Sequence, residues 1–67
     1  MTRKFLREAR KDRGFTMRDV AARVDISPGY YSMIEHGQKT PSGSVAVKLS
    51  KLLGVPLEKF FENKMFI

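Results

Sequence analysis

The 67-residue chain has no cysteine, no tryptophan and one histidine, His36. Without cysteine no disulfide can staple it. One histidine is too few for the clustered ligands of a structural or catalytic metal, so neither metal nor cofactor is expected. No apolar run approaches the roughly 20 residues of a membrane span. Met1-Thr2-Arg3-Lys4 leads into polar sequence rather than a signal-peptide core. A cytoplasmic chain with no membrane partner is the expectation. Sustained period-2 alternation and hairpin turn signals are missing, which argues against a β fold. Also missing are a convergent acid–base pair, a nucleophile beside a base and a Gly-rich phosphate loop, so no enzyme class gains support.

What is present is basic charge. Thirteen Lys and Arg oppose seven Asp and Glu, for a net +6, and the pI is near 10.1. A polyanion is the default partner of such a chain. The excess is concentrated: residues 1–23 carry eight basic and three acidic side chains, a net +5, and residues 24–67 carry only +1. Such a run reads either as a solvated helix face or as a phosphate-facing surface. A chain this short buries only about 60% of its unfolded surface. Regular helix packing or a second copy must make up for the missing staples.

Gly14, Pro28-Gly29, Gly37, Pro41, Gly43, Gly54 and Pro56 cut the chain into short pieces that read as helices. The first spans about Thr2 to Arg13, with Phe5, Leu6 and Ala9 as its apolar stripe and Gly14 as its stop. The second has Thr16 as N-cap, Asp19 at N3, and Val20, Ala21 and Val24 inward; it ends near Asp25. Ser27 followed by Pro28 starts the third, Tyr31 and Ile34 point inward, and Gly37 closes it. A fourth starts near Ser42 or Ser44 and buries Val45, Leu49, Leu52 and Leu53 before Gly54. A fifth short turn covers Leu57 to Phe61, and residues 62–67 read as a tail or one short strand. The class is all-α in a single domain.

Only Val24-Asp25-Ile26-Ser27 separates the second and third helices. Two short helices so joined cross at a large angle. Ala21 supplies the small residue that their close approach needs, and Ile26 plugs the corner. This is the helix-turn-helix pattern.

The run Thr16-Met17-Arg18-Asp19-Val20-Ala21-Ala22-Arg23-Val24-Asp25-Ile26-Ser27, then Tyr30-Tyr31-Ser32-Met33-Ile34-Glu35-His36-Gly37, then Pro41-Ser42, resembles the phage repressor/Cro family (Xre, or Cro/CI type). The likeness extends from Leu6 to Phe60-Phe61. It implies a five-helix, lambda-repressor-like DNA-binding domain whose third helix enters the major groove. It implies DNA contacts from Thr16, Met17 and Arg18 at the start of helix 2. Ser27, Pro28, Gly29, Tyr30, Ser32 and Met33 would contribute from helix 3, and Gln38, Lys39, Thr40 and Ser42 from the loop beyond. It also makes Arg10 and Glu35 a structural ion pair between helices 1 and 3.

One departure stands out. Direct major-groove readout normally uses Arg, Lys, Asn or Gln, but Met17, Pro28, Gly29 and Met33 offer none. Met33 and the Pro28-Gly29 corner are expected to pack on thymine methyls, with close backbone approach at Gly29. Shape and phosphate contacts would supply more of the specificity. Phe60, Phe61, Met65, Phe66 and Ile67 place five large apolar side chains in eight residues. Phe61, Met65, Phe66 and Ile67 are read as a dimerisation surface, with 62–67 as its tail. The leading expectation is a homodimeric repressor on an inverted-repeat operator in duplex DNA, prokaryotic or phage-encoded, with room for a protein anti-repressor. The alternative is a protein-interaction module that kept the fold without base readout.

Overall fold

A computed structural model of the chain describes residues 2–61. It contains α1 (Lys4–Asp12), α2 (Met17–Arg23), α3 (Pro28–Glu35) and α4 (Gly43–Leu53), followed by a 3-10 turn at Leu57–Phe60. No strand occurs among the described residues. The expected count of five helices is corrected to four. The fifth element has only four residues and sits behind Pro56. Its bonds, Lys59 N–H to the Pro56 carbonyl and Phe61 N–H to the Glu58 carbonyl, span three residues. So short a piece never closes the i to i−4 ring of an α-helix.

Apart from the start of α1, which has no side-chain cap, the helix boundaries have local causes. Thr16 and Asp19 form a reciprocal capping box at the start of α2. The Ser27 and Ser42 hydroxyls accept from the backbone N–H groups of Tyr30 and Val45 at the starts of α3 and α4. Helices α1, α2 and α3 end in the same way. In each, one N–H bonds back five residues: Phe15 to the Arg10 carbonyl, Ile26 to Ala21 and Gln38 to Met33. That motif needs a left-handed residue just past the helix. Gly14 and Gly37 supply it at φ +73° and +79°; in α2 the position is held by Asp25 at φ +63°. An aspartate there is strained relative to glycine.

The core is continuous. It comprises Leu6 of α1, Val20 and Ala21 of α2, Tyr31 and Ile34 of α3, and Val45, Ala46, Leu49 and Leu53 of α4. Val24, Val55 and Phe60 complete it from the connections and the final turn. Fully buried Ala21 lets α2 and α3 pack as the most extensive helix pair. Phe60 is brought back by the final turn to meet Phe5 edge-on, ring centroids 5.4 Å apart. Burying one such ring contributes roughly 1.5–3 kcal/mol. Leu52, expected inside, is only partly buried, and Ala46 takes the inner position.

Candidate nucleic-acid interface

Three buried side chains of α3 set its orientation. Tyr31, Ile34 and Glu35 face inward. At 100° per residue the opposite side carries Gly29, Met33 and His36 in a line, flanked by Ser32. Gly29 and His36 are exposed, and Ser32 and Met33 are half-buried. A Cβ built on Gly29 would meet nothing within 4 Å. Its φ is not in the left-handed region, so the backbone does not require glycine there. The result is a helix face that is open at Gly29, in its first turn, and at His36.

This face rests on a buried polar bracket. The Arg10 guanidinium donates from Nε to Glu35 Oε1 at 2.8 Å and from Nη2 to Oε2 at 3.0 Å. A third donor, Nη1, reaches the Phe15 carbonyl at 2.9 Å. The Tyr31 hydroxyl donates to Glu35 Oε1 at 2.7 Å. The Arg10–Glu35 pair thus joins α1, the α1–α2 turn and α3, and among the described residues no buried side-chain polar atom lacks a partner. Burial pushes the Glu35 carboxyl up. The hydrogen bonds from Arg10 and Tyr31, with the guanidinium charge, outweigh burial and hold it below its ordinary value. Burial, and then the bond to Glu35, push the Tyr31 hydroxyl well above its usual range.

The loop after α3 is also fixed. The N–H groups of Gln38 and Lys39 both donate to the Met33 carbonyl, at 2.8 and 3.2 Å. Tyr30 Oη accepts from the Ser42 N–H at 3.4 Å, which brings the start of α3 to the start of α4. The Arg3 guanidinium donates to the Ile34 carbonyl and, at 2.9 Å, to the Lys39 carbonyl. Gln38, Lys39, Thr40 and Ser42 are exposed on this loop. At the start of α2 the Thr16 N–H donates to Asp19 at 2.9 Å, and the Asp19 N–H donates to Thr16 Oγ1 at 3.0 Å. The bond from the Thr16 N–H, with help from the Thr16 hydroxyl, lowers the Asp19 carboxyl.

The helix-turn-helix family model matches residues 6–60. The chain belongs to the Xre/Cro-like helix-turn-helix family. It is 41% identical over 63 residues to an uncharacterised HTH-type transcriptional regulator, YqaF, of Bacillus subtilis, covering 94% of this chain and 83% of that protein. It is 33% identical over 61 residues to the HTH-type transcriptional regulator DdrOP3 of Deinococcus deserti, covering 91% of this chain and 47% of the relative. Over 52 residues it is 40% identical to the transcriptional regulator ClgR of Mycobacterium tuberculosis, covering 78% and 46%. The chain therefore spans about half the length of the last two. No solved structure matches it significantly.

Within this helix-turn-helix the DNA-contact residues singled out from sequence lie at the starts of α2, α3 and α4, along α3 at Ser32 and Met33, and in the loop between α3 and α4. Thr16, Ser27 and Ser42 are the N-caps of α2, α3 and α4. Arg18, Pro28 and Gly29 are exposed. Met17 and Tyr30 are half-buried and pack partly against the core. Phe61 is 38% exposed at the end of the described residues; Met65, Phe66 and Ile67 lie outside them. Among the described residues no helix is long and apolar enough to cross a membrane. Nothing in the sequence sets Arg3 apart from the other cations of the basic first third. Its role depends on a contact 36 residues away, and only the family's helix order could have suggested that.

Proposed function

We propose that the chain is a sequence-specific, duplex-DNA-binding transcriptional regulator that lays the Gly29–Met33–His36 face of α3 in the major groove. The observation that carries this reading is that face itself: exposed at Gly29 and His36, half-buried at Met33, braced from behind by the Arg10–Glu35–Tyr31 bracket, and followed by exposed Lys39. Helix starts capped at Thr16, Ser27 and Ser42 suit phosphate contacts, because their N–H groups carry partial positive charge. Base recognition falls to Met33 on thymine methyls and to the backbone around Gly29. Affinity comes from phosphate contacts and the +6 charge.

The reading extends to a homodimer that represses from an inverted repeat, since one helix-turn-helix covers only half a site. Exposed Leu57 and Phe61 support a second copy docking at this end. Titration of the isotope-labelled protein with a 20-base-pair duplex tests the interface. Amide shifts are expected to concentrate in residues 16–18, 27–33 and 38–43. Shifts centred on Leu57 and Phe61 alone, or none, would remove the DNA reading and favour an interaction module. The shortage of hydrogen-bonding side chains on α3 is what keeps that second reading in play.

A further inference from the structure

We propose that Arg3 is a positioning residue: it ties the start of the chain to the end of α3 and holds the 37–42 loop in the shape that presents Lys39 to DNA. The inference rests on the DNA-contact reading above.

The last carbonyls of a helix carry partial negative charge and need donors. The last turn of α3 contains no basic residue of its own. Gly37 and Gln38 cover the Ile34 and Met33 carbonyls through their N–H groups. Arg3 supplies the rest from another element. Its backbone N–H donates to the Glu35 carbonyl at 2.8 Å, and its guanidinium donates to the Ile34 carbonyl. The same guanidinium nitrogen, Nη1, reaches on to the Lys39 carbonyl at 2.9 Å. One side chain therefore bridges the helix end and the middle of the loop. The Lys39 N–H is already bound to Met33. With both ends of its peptide fixed, Lys39 has only its exposed side chain free.

Two consequences follow from this geometry. First, the guanidinium is spent on carbonyls and is half-buried, so it is not an ordinary cation of the basic first third. Second, the role needs the reach of arginine, since both bonds leave from one nitrogen, Nη1, at the tip of the guanidinium. A lysine in the same place would keep the charge, but its shorter side chain would end short of the two carbonyls.

The test uses the full chain with Arg3→Met, Arg3→Lys and Lys39→Met. Thermal unfolding first establishes that each variant is folded; Arg3→Lys serves if Arg3→Met is not. In the free protein, amide exchange at Gln38 and Lys39 is expected to quicken about tenfold in both Arg3 variants, with the Val20 and Val24 amides unchanged. On a 20-base-pair duplex at low salt, Lys39→Met should weaken binding about fivefold in the wild type. In the Arg3→Met background it should weaken binding less than about twofold, because the loop is already released. Unchanged exchange, an Arg3→Lys protein indistinguishable from wild type, or equal Lys39→Met effects in both backgrounds would each overturn the proposal. A wild type that does not bind duplex DNA would instead overturn the DNA-contact reading, and the exchange measurement would still decide whether Arg3 holds the loop.

Discussion

Gly29→Ala separates what the fold needs from what a partner needs. Gly29 is the second residue of α3, its φ is not left-handed, and an added Cβ would meet nothing. Glycine in a helix is less stable than alanine by roughly 0.5–1 kcal/mol, because its backbone loses more freedom on folding. The first turn lies toward the lower end of that range. For a domain of this size about 1 kcal/mol moves Tm by roughly 4–8 °C. The substitution should therefore raise Tm by about 2–6 °C, read by circular dichroism. On duplex DNA the same methyl group would stand between the leading turn of α3 and the groove floor. Anisotropy titration should then show affinity for the preferred duplex reduced about tenfold, equivalent to roughly 1.4 kcal/mol. Opposite signs in stability and binding are the signature of a position left bare for a partner. A lowered Tm would refute the open-space geometry. A raised Tm with unchanged affinity would refute close approach at Gly29.

Arg10→Met leaves Glu35 buried without its cation and should cost about 3–5 kcal/mol. In the wild type the lowered Glu35 contributes stability that is complete above about pH 4.3 and is lost as pH falls through its folded value. Without the guanidinium only the Tyr31 hydroxyl bond and the neighbouring His36 still oppose burial, so the carboxyl moves up and the stability that the wild type gains as pH rises through about 4.3 should shrink in the variant; urea titrations at about pH 3 and 6 compare the two. Asp25→Gly removes a left-handed aspartate and should stabilise by about 0.5 kcal/mol, whereas Asp25→Val should lose more than about 1 kcal/mol by the same assay. Met33→Ala should relax preference at one or two base pairs in a panel of point-substituted duplexes; an equal loss on every sequence would make Met33 a packing residue. Deletion of residues 62–67 should weaken self-association and duplex affinity together, and unchanged sedimentation with unchanged binding would contradict it.

The starts of α2, α3 and α4 and the stops at glycine were legible because each rests on short-range chemistry, whereas α1 begins at Lys4 rather than near Thr2 and has no side-chain cap. Ser27-Pro28, Thr16 with Asp19, and Gly14, Gly37 and Gly54 act within one turn of where they stand. Ala21 was legible for a related reason: only a small residue permits the crossing that a turn as short as Val24–Ser27 imposes. The final helix was not, because Leu57–Phe60 lacks the length to close an α-helical ring, whatever its apolar pattern suggests. The Arg10–Glu35 contact came through family resemblance, since nothing local to either residue points to a partner 25 positions away. Tyr31 read as core from spacing, but its hydroxyl bond to Glu35 is a tertiary fact. Arg3 shows the same limit more sharply. Charge counting sees a cation, and only the fold reveals that its donors are turned onto the end of α3.

Selection of bound duplexes from a random-sequence pool addresses the central claim most directly, because α3 lacks the usual base-reading side chains. The account predicts enrichment of an inverted repeat with half-sites about 34 Å apart, containing A·T pairs opposite Met33, with binding that persists at moderate salt. A pool that yields no motif, together with binding that vanishes steeply as salt rises, would contradict it.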